Sequence, residues 1–195
     1  MGRTGGPHQT TVVVRIVSGA FGGRRFSPPA KIPARPTTEL AREGLFNILN
    51  SVVDFDGLKT LDLFGGTGSV TYELASRGAV DLTIVERDRT TTDFIKKTLT
   101  DLDIADIVRL VKDDAFKFLK QCTDQFDFIF ADPPYALANM DEVPKLVFEC
   151  NLLLPGGIFV LEHSGRNDYQ LHPCFWRMKN YGTTIFTFFR NPTAP

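Results

Sequence analysis

Between Leu58 and Glu162, short apolar, β-branched runs alternate with segments whose apolar residues recur at helical spacing, and few folds accept such a pattern. Strands are predicted over residues 60–64, 81–85, 107–111, 126–131 and 158–161. Helices are predicted between them, over 69–77, 90–102, 115–121 and 140–150. Gly78 suits the position just past a helix end, and Pro155-Gly156-Gly157 reads as a turn. Strand and helix alternating within one domain imply a parallel, doubly wound α/β sheet. Two later runs, 175–180 and 183–189, joined at Tyr181-Gly182, close the chain as an antiparallel hairpin.

The amino-terminal part differs in kind. Residues 1–10 are Gly-rich and polar. Residues 11–17 read as a strand, and Gly19, Gly22 and Gly23 as a turn. Arg24-Arg25-Phe26 begins a returning strand that Pro28-Pro29 ends, so arginines sit at the tip and return of a hairpin. Residues 31–36 form a loop. Thr37 or Thr38 can cap the next helix, with Glu39 in its first turn. Ala41, Leu45, Ile48, Leu49 and Val52 fall on one face of that helix, and Arg42 and Glu43 lie off it. The chain thus divides into a basic arm with a hairpin, residues 1–36, and one larger domain, residues 37–195.

A chain of 195 residues, 43% hydrophobic and 23% charged, can build one core as a soluble protein. No apolar run reaches membrane-spanning length, and the amino terminus lacks the apolar centre of a signal peptide. Cys122, Cys150 and Cys174 are far apart, as are His8, His163 and His172, so no metal site is inferred. A reduced, cytoplasmic setting with free thiols is expected. The net charge is −1, but residues 1–45 hold seven basic against two acidic residues, leaving fifteen basic against twenty-one acidic in the remainder. A basic end on an acidic body is either a footprint for an anion or a solvated arm.

Three motifs carry chemistry. Asp132-Pro133-Pro134-Tyr135 follows the fourth predicted strand, where ligands bind in an open parallel sheet. Tyr135 can stack on a flat base, while the Asp132 carboxylate and the Pro133 carbonyl can accept hydrogen bonds from an exocyclic amine. Two acceptors on that amine free a lone pair otherwise delocalised into the ring. A plain turn with a capping aspartate is the alternative. The second motif is Asp62-Leu63-Phe64-Gly65-Gly66-Thr67-Gly68, at the first strand-to-helix turn, where Gly66 and Gly68 let a ligand approach the backbone. The third is Glu86, about 20 residues on, where an acid can hold ribose hydroxyls. NAD fits poorly, because Thr71 occupies the third glycine position of its fingerprint and no P-loop lysine is present. S-adenosylmethionine fits better. It offers an amine to Asp62, a ribose to Glu86 and an adenine amine to Asp114. Asp62, Glu86 and Asp114 could instead be caps or solvated acids.

D-x-F-x-G-x-G, the acid after the second strand and D-P-P-Y resemble an amino-methyltransferase that uses S-adenosylmethionine. Arg15-Ile-Val-Ser-Gly19 through Gly23-Arg24, Arg35-Pro36-Thr37 and Arg42-Glu43-Gly44-Leu45-Phe46-Asn47 resemble the bacterial 16S rRNA guanine-N2 methyltransferase family. The likeness runs from about Thr11 to Asn191. It implies a Rossmann-like methyltransferase sheet with a carboxyl-terminal antiparallel hairpin and a small amino-terminal β-hairpin. It implies transfer of a methyl group to N2 of a guanine, with S-adenosylhomocysteine as the other product. Asp62, Phe64, Gly66, Gly68, Glu86 and Asp114 would bind the cofactor. Asp132, Pro133 and Tyr135 would clamp the target base. Arg24, Arg25, Arg35 and Arg42 would contact RNA. The partner would be 16S rRNA in the small ribosomal subunit or an assembly intermediate, met by a monomer away from any membrane. Gly65 replaces a more usual alanine or serine, with little expected effect, and Leu40 replaces a commonly basic residue. The rivals are a DNA adenine or protein glutamine methyltransferase and a non-catalytic RNA-binding assembly factor.

Overall fold

The structure, a computed structural model, describes residues 13–30, 32 and 38–193. Two sheets form. The smaller pairs β1 (Val14–Arg15) with β2 (Arg25–Phe26), antiparallel. The larger contains β3 (Lys59–Leu63), β4 (Asp81–Val85), β5 (Val108–Val111), β6 (Phe126–Ala131), β7 (Leu153–His163), β8 (Phe175–Tyr181) and β9 (Thr184–Arg190). Their order is β5-β4-β3-β6-β7-β9-β8, parallel except that β9 runs against both of its neighbours. The chain moves outward from β3 to β5, then returns to place β6 on the other side of β3. The order therefore reverses between β3 and β6, and the crevice for a ligand opens at their carboxyl ends.

Helices cover both faces. α1 (Glu39–Leu49), α2 (Ser69–Ser76) and α3 (Arg89–Leu102) pack on one, through Leu45, Phe46, Leu74, Ile95 and Leu99. α4 (Ala115–Gln121) and α5 (Glu142–Glu149) pack on the other, through Phe118, Leu119, Val143 and Val147. The strands between are apolar on both sides, which is why β6 reads as a continuous run, Phe-Asp-Phe-Ile-Phe-Ala, rather than as an alternation. Of the two threonines expected to cap α1, Thr38 does so, its hydroxyl accepting from Ala41 N–H. No helix among the described residues is long and apolar enough to cross a membrane.

Three expectations are corrected. The strand over 11–17 pairs only at Val14 and Arg15, and residues 11 and 12 lie outside the described residues. Pro155-Gly156-Gly157 is no turn: β7 runs through it. Pairing with β6 jumps there from Leu153 to Ile158, and pairing with β9 starts only at Ile158. A proline without an N–H is tolerated at such an irregularity. Arg42, expected on the exposed side of α1, is 3% exposed. The hairpin closes over that side of the helix: Val14 and Ile16 join the same core as Ala41, Leu45 and Phe46.

The hairpin is also tied to α2. The Glu73 carboxylate accepts from the Val17 N–H (2.7 Å) and the Ser18 N–H (3.1 Å), and from the Arg77 guanidinium. Ser76 accepts from Phe21 N–H through its hydroxyl and from Ala20 N–H through its carbonyl. The expected division of the chain between residues 36 and 37 falls outside the described residues.

Candidate active site

β3 ends at Leu63, and the backbone then turns sharply. Phe64 adopts a left-handed φ of 60°, uncommon for a residue with a side chain and frequent at functional sites. Gly66 (φ 51°) and Gly68 (φ 78°) continue the turn, and Gly68 is the cap of α2 with no side chain to cover the first N–H groups. Ser69 and Val70, the first residues of α2, line a cavity at the positive end of the helix dipole. The loop is held to β4 by Gly65 N–H donating to Val85 O (2.8 Å) and Gly66 N–H to Glu86 Oε2 (3.0 Å). Gly65 matters more than expected. A Cβ there would come within 2.5 Å of Ile84 Cγ1 and 2.7 Å of its Cδ1, so alanine or serine would displace that side chain.

Asp62 lies on β3, level with Phe130 of β6. It is 3% exposed and accepts from the Thr71 hydroxyl at 2.8 Å. Burial pushes its pKa up to about 7, against the opposing hydrogen bonds from Thr71, and the nearby Glu86 carboxylate adds to the rise. Among the described residues, no cation enters the balance on this carboxylate. Glu86 follows β4 and accepts through its second oxygen from Asp88 N–H (2.8 Å). Asp114 does what the plain alternative foresaw, capping α4 through Oδ1 with the N–H groups of Phe116 and Lys117. It also lines the cavity, so capping does not remove it from the site.

β6 ends at Ala131, and Asp132, half-buried, begins the turn. Pro134 O accepts from Leu137 N–H at 2.8 Å and closes it. The Tyr135 hydroxyl donates to Glu162 Oε1 at 3.1 Å and lies 3.1 Å from Thr184 Oγ1. Burial and then the surrounding carboxylates push its pKa up to about 12, so it stays a neutral donor.

These residues meet around one cavity of about 620 Å³, a size suited to a cofactor with a substrate group. Asp62, Phe64, Gly66, Glu86, Asp114, Asp132, Pro133 and Tyr135 all line it. Gly68 does not line it but shapes the turn. Glu162 lines it too and was not singled out as a site residue. The signal was present, since Glu162 follows the predicted strand 158–161 as Glu86 follows 81–85, although β7 itself runs one residue further, to His163. Phe116, whose ring meets Phe64 edge-on at 6.0 Å between centroids, had no such signal.

The four arginines proposed for RNA fare differently. Arg24 and Arg25 are exposed and line a separate groove with Phe26, Lys97 and Asp101. Arg24 donates to Asp101 O and lies 5.7 Å from the Phe26 ring centroid. Arg35 lies outside the described residues. Arg42 corrects the expectation of a phosphate contact. Its guanidinium is covered, Nη2 donates to Arg15 O, and desolvation lowers its pKa.

The strand order, the glycine turn and the strand-end acids define a Rossmann-like methyltransferase fold. The 16S rRNA N2 G1207 methyltransferase of Thermus thermophilus, solved with AdoMet and guanosine, shares this fold at TM-score 0.68 and 21% identity, matching 93% of this chain and 50% of that one. The chain belongs to the family described as conserved hypothetical protein 95, whose model matches residues 14–190. Curated relatives include ribosomal RNA small subunit methyltransferase D of Escherichia coli, 30% identical over 171 residues, 88% of this chain and 85% of that protein. The Haemophilus influenzae protein of the same name is 30% identical over 180 residues, 91% and 92% of the two chains. The solved Escherichia coli yhhF structure superposes at TM-score 0.81 with 28% identity, covering 94% of this chain and all of that one.

Proposed function

We propose that this protein transfers a methyl group from S-adenosylmethionine to the N2 amine of a guanine in 16S rRNA of the small ribosomal subunit. The observation that carries the reading is the convergence of Asp62, Glu86, Asp114 and the Asp132–Tyr135 turn on one cavity at the switch point of the sheet. The donor set suits the cofactor. The buried Asp62 carboxylate, with no cation among the described residues acting on it, matches a ligand ammonium, and Glu86 and Asp114 offer acceptors to a ribose and to an adenine amine. Neither residue's existing hydrogen bonds exhaust a carboxylate's acceptor capacity.

The cofactor supplies a methyl group already activated by its sulfonium. The protein supplies position and acceptors. The Tyr135 ring, fixed through its hydroxyl, stacks on the target base. Asp132 and the Pro133 carbonyl would accept from the amine, orienting it and freeing its lone pair for transfer. Transfer would exchange the S–C bond of the cofactor for an N–C bond, and Asp132, which lines the cavity, would take the surplus proton from nitrogen. The base has to be unstacked to reach the cavity, which suits single-stranded or looped RNA. Arg24 and Arg25 guide the backbone. Thr90, at the start of α3, lines their groove, and the next residue, Thr91, lines the cavity. The protein acts as a cytoplasmic monomer on the subunit or an assembly intermediate, in keeping with its three free cysteines.

The test is transfer of labelled methyl to small subunits from a strain lacking the protein. The label is expected on N2 of a single guanine. Label on adenine N6 or on protein, or none, overturns the reading.

A further inference from the structure

We propose that Glu162 reads the N1–H of the target guanine and so sets the preference for guanine over purines that carry an amine but no N1–H. The proposal rests on the guanine-N2 reading above. β6 and β7 are parallel neighbours with Ala131 opposite Leu161. Asp132 and Glu162 are the next residues of each strand, at the same end of the sheet, with the strands about 4.8 Å apart. Both line the cavity. Glu162 is 3% exposed, and its Oε1 accepts from the hydroxyl of Tyr135, the ring assigned to stack on the base. Thr184 Oγ1, 3.1 Å from the same hydroxyl, steadies the arrangement from β9. The stacking ring and the carboxylate are therefore fixed relative to each other.

Guanine presents two kinds of donor side by side in the plane of its ring, the N1–H and the N2 amine. Adenine presents its amine beside an N1 lone pair. Two carboxylates on adjacent strands, meeting the edge of a ring stacked on Tyr135, match donor beside donor. A carboxylate has two oxygens and about four acceptor positions, more than the Tyr135 hydroxyl takes up. Against an N1 lone pair, a buried Glu162 would face acceptor to acceptor. Little solvent reaches the site to relieve that mismatch, so it weighs heavily. Asp132 then serves the reacting nitrogen, and Glu162 decides which ring is held there.

The experiment uses small subunits reconstituted with guanine or with 2-aminopurine at the modified position. The analogue keeps the C2 amine but carries a lone pair at N1. Wild type should prefer guanine by about 10²-fold in kcat/KM, the weight of a lost charged hydrogen bond. In Glu162→Gln, with cofactor affinity checked by calorimetry, the amide can donate to the N1 lone pair, and the preference should narrow at least about 10-fold. Tyr135→Phe, which loses only the hydroxyl, should slow both substrates alike. Equal use of the two substrates by wild type overturns the inference. So does a Glu162→Gln variant slowed equally on both, which would leave Glu162 as a strut for Tyr135 alone. Absence of any transfer to the guanine-containing subunits overturns the reading of function and this inference with it.

Discussion

The cleft at the strand ends and the amino-terminal hairpin treat polar groups in opposite ways. At the cleft, acids stand where strands stop, and their oxygens face a cavity. At the hairpin, charge is turned inward. Glu73, with no exposed surface, serves two backbone N–H groups and Arg77. Arg42 is spent on Arg15 O, Arg15 pairs with Glu39, and Arg24 reaches Asp101 O. The basic end of the sequence is thus partly consumed within the fold. A count of charges overstates the surface left for RNA, whereas the acids of the cleft keep cavity-lining positions even where, as with Glu86 and Asp114, they also accept from the turning backbone. The difference can be broken or sharpened at four points.

The largest effect should come from Glu73→Ala. Removing one partner from a buried charged network leaves the N–H groups of Val17 and Ser18 without their acceptor and Arg77 with Asn50 alone, at a cost of about 3–5 kcal/mol. Thermal unfolding should shift down by roughly 10 °C, at about 2–4 °C per kcal/mol for a chain of this size. A shift of under a degree would show that the hairpin does not depend on this anchor.

At the cleft, Asp132→Ala should leave folding and cofactor affinity nearly unchanged and slow transfer by about 10²–10³, the usual cost of one oriented polar group at a reacting centre. Single-turnover assays separate the two quantities. Full activity in the folded variant would remove Asp132 from the amine.

A smaller, graded effect should follow pH. Asp62 has a folded pKa near 7, above its ordinary value of 3.8. The free protein therefore binds more protons than the unfolded chain between those values, and its stability should fall as pH rises through that window. Cofactor affinity runs the other way, because only the ionised Asp62 pairs with an ammonium. Calorimetry should show tighter binding as pH rises through about 7, and Asp62→Asn should flatten that rise. A pH-independent wild-type affinity would detach Asp62 from the ligand's amine.

What could be read from the sequence divides along the same line. The parallel strands and their acids were legible because period, glycine turn and strand-end carboxylate are local signals with fixed spacing. Glu162 carried the same signal but no motif around it. Arg42 was not legible: on α1 alone it lies off the apolar stripe, and only a hairpin arriving from elsewhere buries it. Pro155 misled because proline and two glycines spell a turn unless the neighbouring ladder skips the same residues.

The smallest effect belongs to the two exposed arginines of the hairpin. Arg25 is exposed on β2 at the rim of the groove, while Arg24 is exposed but engaged by Asp101 O and the Phe26 ring. Arginine's fork suits phosphate oxygens, and such contacts place RNA without reading its sequence. Removing Arg25 should weaken binding of the subunit and lower the slope of log affinity against log salt by about 0.7, the share of one single-strand phosphate contact. Arg24→Ala should change the slope less, since its guanidinium already has partners within the fold. Cofactor affinity should not move in either variant, because neither residue lines the cleft. Salt titrations of the wild type and both single variants decide it. Superimposable curves for wild type and Arg25→Ala would leave the hairpin's charge wholly internal and move the RNA path to another face of the cleft.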